Sequence, residues 1–391
     1  MRPIQRVALT FALATSTAWL SAQQPQPATS GYLMPPKAIV DLLDAPPAPI
    51  TELSPTRDIV ALIERASMPK LAELAQPVLR IAGRRINPRT NGPHRAQVSR
   101  AITLKNIADG TEKKVNGPAD PALSWIGFST DGKRFAFTQQ RENGIELWIG
   151  DTATGQAKSV TTAQLNASLG TPCTFVGTGS SLLCSFVSPS RGAAPVSPPV
   201  PNGPNVQEHR GQVAPVRTYQ DLLTSAFDEV LFDYYATSQL TFVDALSGQR
   251  APVGAPGIFE TVEASPDGNH ILVSRIQRPY SRLVPYTNFP SVVEVWSRNG
   301  GVAKKIAELP MADTVPNGGV MPGPRSYQWQ PLAPATLTWV EALDGGDPKT
   351  TVPHRDKVMT MSAPFAAAPA EMAKRRFASA GCPLPTMASS C

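Results

Sequence analysis

A strand, a Ser-x-Asp-Gly turn and a second strand occur at residues 125–137 and again at residues 262–273, with the two turn aspartates 136 residues apart. A second pattern, an apolar strand that runs into Asp-x-x-Ser/Thr-Gly, occurs at residues 146–155 and 240–248, with its aspartates 93 residues apart. These separations are close to three and two units of about 45 residues, the usual length of a four-stranded propeller blade. The spacing therefore predicts an all-β fold of the β-propeller type. A plain antiparallel sandwich, the alternative, would not require a common period.

The strand pattern also divides the chain into parts. From residue 98 to residue 365 the pattern is β throughout, with no convincing amphipathic helix longer than about ten residues. We expect about five or six blades here, an incomplete part of a seven- or eight-bladed ring. Residues 23–97 form a polar leader and a short mixed lead-in. Residues 366–391 lose the strand alternation and carry two cysteines, which is typical of a disordered tail or of translation out of frame.

Two shorter regions depart from the blade pattern. In the lead-in, the sequence predicts a helix from Lys37 to Leu43, a strand from Asp58 to Ile63 and a helix from Pro69 to Ala75. Residues 188–220 hold seven prolines and are too long for an ordinary connection. We interpret them as a protruding loop, and a disordered linker between two sheet domains is the alternative.

The N-terminus has the features of a targeting segment. Arg2 and Arg6 precede a mostly apolar run from Val7 to Leu20, and small residues follow at Ser21 and Ala22. This pattern predicts a secretory signal peptide over residues 1–22, so we expect a secreted or periplasmic protein. A membrane anchor is the alternative, but it needs about 20 apolar residues. No later segment is long and apolar enough to span a bilayer, so no membrane contact is expected after cleavage.

The charge of the chain is mild for its length. Charged residues make up 17% of the chain, and the formal net charge is +6. The basic residues lie in the short clusters Arg84-Arg85, Lys113-Lys114, Lys304-Lys305 and Lys374-Arg375-Arg376. Nucleic-acid binding needs a concentrated basic stripe, so we expect solvated surface here and no nucleic-acid partner.

The cysteines give one candidate covalent link. Cys173 and Cys184 flank a turn at residues 177–180 between two apolar runs, and in a hairpin they could face each other. Export makes a disulfide plausible, and two buried free thiols are the alternative because cross-strand geometry is demanding. Cys382 and Cys391 lie in the tail, and none of the four has the spacing of a zinc site.

The sequence gives little indication of a metal or cofactor site. No two of the four histidines lie close together in sequence; they are His94, His209, His270 and His354. Asp344 and Asp347 flank two glycines and could hold calcium, but a calcium loop needs more oxygen ligands at set spacing, so a hairpin turn is the preferred interpretation. We expect no metal and no cofactor.

Several stretches together resemble a known family. They are Arg80 to Pro93 (RIAGRRINPRTNGP), Arg217 to Leu223 (RTYQDLL), Gly257 to Pro290, with SPDG and RIQRPYSRLVPY, and Gly323 to Val358, with WVEALDGGDPK and VPHRDKV. They resemble the propeller of the prolyl oligopeptidase family of serine peptidases, in its glutamyl endopeptidase-like branch. The resemblance extends from about residue 31 to about residue 365.

The resemblance implies a function for the intact relative. Family members continue with further blades and an α/β-hydrolase domain, whose Ser, Asp and His hydrolyse peptide bonds. A Gly-x-Ser-x-Gly elbow would mark that domain, and this sequence contains none, so no catalytic residue is assigned and we expect the chain to be inactive alone. The resemblance implies a non-catalytic propeller that gates and binds a peptide substrate for the hydrolase domain. The alternative is a stand-alone secreted propeller that binds a protein or a glycan.

Overall fold

A computed structural model describes residues 35–94, 98–177, 179, 181–199, 218–321 and 323–378. The chain divides into two compact units, Met1–Pro46 and Pro47–Cys391. In the first unit the described residues contain one helix, α1 (Lys37–Asp44), at the predicted place. The proposed signal peptide lies outside the described residues.

The second unit consists mainly of short antiparallel strands. In chain order they are β1 (Ile50–Leu53), β2 (Ile59–Arg65), β3 (Leu79–Ile81), β4 (Arg84–Asn87), β5 (Gly92–Pro93), β6 (Ser99–Asn106), β7 (Glu112–Lys114), β8 (Leu123–Phe128), β9 (Arg134–Arg141), β10 (Gly144–Asp151), β11 (Ala157–Ser159), β12 (Cys173–Val176), β13 (Ser181–Val187), β14 (Thr237–Asp244), β15 (Arg250–Ala264), β16 (His270–Ile276), β17 (Ser291–Ser297), β18 (Val302–Leu309), β19 (Pro324–Trp329), β20 (Thr336–Ala342), β21 (Asp356–Ser362) and β22 (Ala370–Arg375). Its helical segments are α2 (Leu71–Leu74), α3 (Ala226–Ala236) and a 3₁₀ turn, Tyr286–Asn288.

The strands form five successive four-stranded meanders, the blade unit of a β-propeller. Blade 1 contains β1, β2, β6 and β7, and blade 2 contains β8 to β11. Blade 3 contains β12, β13, β14 and the first part of β15, whose second part begins blade 4 with β16, β17 and β18. Blade 5 contains β19 to β22. The predicted all-β propeller class is confirmed, and the five blades of the described residues agree with the expected number.

Successive blades pack against each other and share a hydrophobic cluster at each junction. Phe137 lies in the cluster between blades 1 and 2, and Leu147 and Leu182 lie in the cluster between blades 2 and 3. Trp296 belongs to the cluster between blades 3 and 4, and Trp339 to the cluster between blades 4 and 5. Burial of such a side chain contributes about 1.5–3 kcal/mol to the free energy of unfolding. The junctions therefore stabilise the packing of each blade against the next.

Short turns join the first and second strands of every blade and lie on one face. The turns of neighbouring blades touch: the Thr130 hydroxyl donates to the Gly177 carbonyl at 2.8 Å, and the Asp267 N–H donates to the Pro334 carbonyl at 3.0 Å. In the Ser-x-Asp-Gly turn of blade 2, the Ser129 hydroxyl donates to the Asp131 carboxylate at 2.7 Å. The local chemistry of this motif was therefore interpreted correctly as a hairpin turn.

The number of blades that we inferred between the repeated aspartates was wrong. Asp131 and Asp267 lie in blades 2 and 4, so they are two blades apart and not three, and Asp151 and Asp244 end the third strands of adjacent blades. The long insertion at residues 188–236 lengthens blade 3 well beyond 45 residues. Insertions of this kind change the spacing of a repeat without changing its order.

Long insertions emerge on the opposite face, because the strands of a meander alternate in direction. They join the second and third strands of four blades, at residues 66–98, 188–236, 277–290 and 343–355, whereas blade 2 has a two-residue turn there. We call this side the insert face. The described parts of the predicted 188–220 loop, residues 188–199 and 218–220, belong to it, and residues 200–217 lie outside the described residues.

Two predicted boundaries and one predicted absence of helix need correction. The blades begin before residue 98, because β1 and β2 pair with β6 in blade 1. Blade 5 extends past residue 365, because β22 pairs with β21; the rest of the supposed irregular tail, from residue 379, lies outside the described residues. Helix α3 has 11 residues in a region where no helix was expected. It lies in an insertion rather than in a blade, and a capping box of Ser225 and Asp228 begins it.

Candidate functional site

An ion-pair cluster joins two insertions on the insert face. The Arg278 guanidinium donates to Glu229 at 2.7 Å and to Asp233 at 2.6 Å, and both acids lie on α3. The Tyr280 hydroxyl also donates to Asp233. Burial, and then the hydrogen bond to Asp233, raise the pKa of Tyr280, so its hydroxyl remains a donor. The RPYS stretch of the sequence therefore fixes the helix of the 188–236 insertion.

A second contact joins the Arg80–Pro93 stretch to the Arg217–Leu223 stretch. Arg85 donates to the Asp221 carboxylate at 2.7 Å, and the Gly83 N–H donates to the Asp221 carbonyl at 2.8 Å. Gly83 has a φ of 80°, and a Cβ there would lie 2.5 Å from the Cβ of Pro285. Glycine is therefore required where three insertions approach one another.

A third contact is made by one backbone carbonyl, which accepts several hydrogen bonds. The Tyr235 carbonyl, at the end of α3, accepts from Asn91 at 3.1 Å, from Asn166 at 3.0 Å and from Ser168 at 3.0 Å. All four residues are buried. Three of the family-like stretches, Arg80–Pro93, Arg217–Leu223 and RPYS, thus meet around α3 in one connected layer on the insert face. Beneath it, Phe232 packs edge-on against Phe289 at 5.8 Å.

A recess of about 250 Å³ opens beside this layer, and its walls come from the segment before β12, from β13 and β14, and from the second part of β15. Its polar lining includes Ser168, Thr171, Ser185, Glu260 and Glu263. Glu260 is accessible from the recess, but protein surrounds most of it and raises its pKa to about 7. Burial also raises the pKa of Glu263. Two carboxylates without a paired cation among the described residues make the recess suited to a polar or cationic chain.

Sequence reasoning missed both glutamates. The segment Ile258–Ala264 reads IFETVEA, in which two acids stand among apolar residues, and both acids are accessible in the structure. A register shift between Phe259 and Thr261 breaks the alternation, so the strand period does not place both side chains in the recess.

Cys173 and Cys184 lie opposite each other on the first two strands of blade 3. Their sulfur atoms are 2.08 Å apart and their Cα atoms 4.1 Å apart. Cys173 also lines a second recess of about 230 Å³, next to the first. Their oxidation in the exported protein stays a prediction.

The histidines and the Asp344 turn, considered above as possible metal ligands, make contacts that are typical of packing and of turns. His94 contacts the Gln76 carbonyl at 2.9 Å, and His270 packs against Phe365 with ring centres 5.1 Å apart. Asp344 accepts from the Gly346 N–H at 2.8 Å and from Arg355 at 3.0 Å, which is turn chemistry. In the described part of the chain, no three His, Cys, Asp or Glu side chains are grouped as metal ligands. No described helix is long and apolar enough to cross a membrane.

Two plant proteins are similar in sequence, whereas no protein-family model matches the chain. Both are named "Probable glutamyl endopeptidase, chloroplastic". The one from Oryza sativa subsp. japonica is 38% identical over 349 residues, which cover 85% of this chain and 37% of that protein. The one from Arabidopsis thaliana is 38% identical over 351 residues, covering 85% of this chain and 36% of that protein. The chain therefore spans little more than a third of these relatives.

Solved structures give weaker similarities. Pyrococcus horikoshii acylaminoacyl peptidase has a TM-score of 0.42 at 13% identity, over 81% of this chain and 38% of that one. The β-propeller domain of the Trilobed protease from Pyrococcus furiosus has a TM-score of 0.41 at 10% identity, over 84% and 70%. The fold assignment therefore rests on the strand pairing and the clusters between blades. By its sequence, the chain belongs to the glutamyl endopeptidase-like branch of the prolyl oligopeptidase family of serine peptidases, as a propeller region of that family.

Proposed function

We propose that the chain is the non-catalytic propeller portion of an exported peptidase, and that its insert face gates and binds the peptide substrate of an α/β-hydrolase domain. The observation that carries the proposal is the convergence of the family-like stretches. Arg80–Pro93, Arg217–Leu223 and the RPYS stretch, far apart in sequence, meet in one hydrogen-bonded layer beside an open recess.

The geometry suits substrate selection better than bond cleavage. Acyl transfer by serine needs a nucleophile, a base that activates it and donors for the oxyanion. This sequence has no Gly-x-Ser-x-Gly elbow that would expose such a serine. The recess instead offers hydroxyls and carboxylates that can hold an extended peptide, and its small volume favours flexible chains over folded proteins.

The first test separates binding from catalysis. We expect the purified chain to give no turnover of a mixed peptide library and no labelling by a serine-directed fluorophosphonate. Fusion in frame to a downstream hydrolase sequence, where the locus encodes one, is expected to restore both. Turnover together with probe labelling of a serine within the chain alone would contradict the proposal.

A stand-alone propeller that binds a protein partner is the second candidate. It is favoured by exposed apolar side chains on the insert face, since Leu283 is 61% and Val230 46% exposed. The DNA sequence next to the gene distinguishes the peptidase from the stand-alone binding protein. An adjacent reading frame with a Gly-x-Ser-x-Gly motif supports the peptidase, and a locus without one supports the binding protein.

A further inference from the structure

The sequence contains six Asn-Gly dipeptides, and five of them lie among the described residues. An asparagine in this setting can lose its side-chain amide, because the glycine after it has no Cβ to hinder approach to its own backbone nitrogen. Since the dipeptide is the same at every site, the contacts around it must decide which asparagine reacts. The five asparagines are Asn91, Asn116, Asn143, Asn299 and Asn317, whereas Asn202 lies outside the described residues.

The reaction sets two structural requirements. The backbone nitrogen of the glycine must be free to attack Cγ of the asparagine, and the chain must be able to move so that the two atoms meet. A glycine N–H that is held in a hydrogen bond has to break that bond first, and a buried, close-packed site resists the movement. A reactive site therefore has an unpaired glycine N–H and lies at the surface, outside regular secondary structure.

Two of the sites are held by contacts of the asparagine itself. Asn91 is buried, and its side chain donates to the Tyr235 carbonyl at 3.1 Å. The Asn116 side chain donates to the Gln156 side chain at 2.9 Å, and its backbone N–H donates to the Gly155 carbonyl at 2.9 Å. Both side chains must give up a hydrogen bond before Cγ can reach the next nitrogen.

Two other sites are held at the glycine, in tight hairpins. The glycine after Asn143 is buried and pairs with Arg141 at the start of the β9–β10 ladder. The glycine after Asn299 donates its N–H to the Ser297 carbonyl at 2.8 Å. The Asn299 side chain also accepts from the Gly301 N–H at 3.1 Å. In these hairpins the attacking nitrogen is therefore enclosed or already bonded.

The fifth site, Asn317-Gly318, meets both requirements. Both residues are exposed, and among the described residues the Gly318 N–H has no hydrogen-bond partner. A Cβ placed on Gly318 would approach only Cγ of Pro348, at 3.9 Å, so there is space around the glycine. The dipeptide lies in residues 310–321, the connection between blades 4 and 5, which contains neither helix nor strand.

We propose that Asn317 is a site of spontaneous deamidation in the folded protein, with water as the co-reactant. The Gly318 nitrogen forms a bond to Cγ of Asn317, and the bond from Cγ to the side-chain nitrogen breaks. Ammonia leaves with the proton of the Gly318 amide, and a cyclic succinimide results. Water then adds to one of the two succinimide carbonyls and opens the ring, which gives aspartate or isoaspartate. This chemistry is independent of the proposed peptidase role.

The modification would alter the connection between blades 4 and 5. Each product carries a carboxylate that is ionised at neutral pH, and isoaspartate also routes the main chain through an additional methylene. Close by, the Val320 N–H donates to the Gly346 carbonyl at 3.0 Å, and a Cβ at Gly319 would lie 2.5 Å from the same oxygen. The lengthened chain would therefore disturb the contact between this connection and the 343–355 insertion.

Peptide mapping of the full chain tests the proposal, with the other described sites as internal controls. The purified folded protein is aged at neutral and at mildly alkaline pH in water labelled with heavy oxygen, and its peptides are analysed by mass spectrometry. We expect the peptide with Asn317 to lose ammonia and take up labelled oxygen several-fold faster than the peptides with Asn91, Asn116, Asn143 and Asn299. The rate should rise with pH, because removal of the amide proton activates the attacking nitrogen.

Unfolding the chain provides the second comparison. In guanidinium chloride the contacts that restrain the other sites are lost, so we expect all five asparagines to react at similar rates. Asn317→Gln should slow the reaction at this position strongly, because the longer side chain must close a larger ring. Asn143→Gln changes another exposed Asn-Gly dipeptide and is the matched control, which should leave the rate at Asn317 unchanged. Thermal unfolding verifies that each variant is folded.

Equal rates at the five sites of the folded chain, or a faster reaction at one of the other four, overturn the proposal. An advantage of Asn317 that persists in the unfolded chain also overturns it, because the difference would then come from the local sequence and not from the fold. In the aged protein we expect faster hydrogen exchange at the Val320 N–H, and unchanged exchange overturns the proposed effect on the connection. None of these outcomes bears on peptide binding by the insert face.

Discussion

Glu260 titrates differently from a surface glutamate because of its surroundings. Among the described residues, the Ser274 hydroxyl donates to it at 3.4 Å, and this long contact lowers its pKa less than the surrounding protein raises it. Its pKa is therefore raised from 4.5 to about 7. The folded protein holds this proton more tightly than the unfolded chain does, so the contribution of Glu260 to stability falls as pH rises from 4.5 to 7.

Glu260→Gln is expected to remove this pH dependence. Between pH 5 and pH 8 the wild type should lose more stability than the variant, because only the wild type must hold a charged carboxylate in the recess. Urea denaturation at the two pH values measures the difference. Glu52→Gln, at an exposed position of β1, is the control and should follow the wild type. Equal losses in wild type and Glu260→Gln would contradict the prediction.

At the scale of elements, the first hairpin of blade 3 carries the proposed disulfide. Cys173 and Cys184 are buried and paired in register, so oxidation would link strands that already lie together. The expected gain is about 2–3 kcal/mol, from restricting a loop of about ten residues in the unfolded chain. Two free thiols would instead act as small buried apolar groups.

Peptide mapping of the exported protein without reductant is expected to show a cross-linked peptide that contains both cysteines. The double variant Cys173→Ser, Cys184→Ser should lower the midpoint of thermal unfolding under oxidising conditions. The wild type treated with reductant is the matched control and should approach the variant. Recovery of both thiols in free form from the untreated protein would argue against the disulfide.

The sequence predicted local elements well and long-range contacts poorly. The Ser-x-Asp-Gly turns were predictable because Ser129 and Asp131 bond within one turn. The recess beside Glu260 was not, since residues that only the fold brings together form its walls. The boundary at residue 98 was misplaced because the 66–98 insertion separates the second and third strands of blade 1.

At the scale of the whole molecule, export is the prediction that affects all others. Arg2, Arg6 and the apolar run after them predict cleavage after Ala22. Mass spectrometry of protein from the periplasm or medium should find Gln23 at the N-terminus. Replacement of Arg2 and Arg6 by glutamate should retain the precursor in the cytoplasm. A cytoplasmic wild-type protein that keeps Met1 would contradict export.

The strand β15 has a mechanical consequence for the propeller. Its residues up to Ile258 pair with β14 and those from Phe259 pair with β16, so no slack chain separates blades 3 and 4. Between blades 4 and 5, by contrast, residues 310–321 contain neither helix nor strand. We therefore expect blades 3 and 4 to move together, so that a hinge of the propeller is expected at another junction.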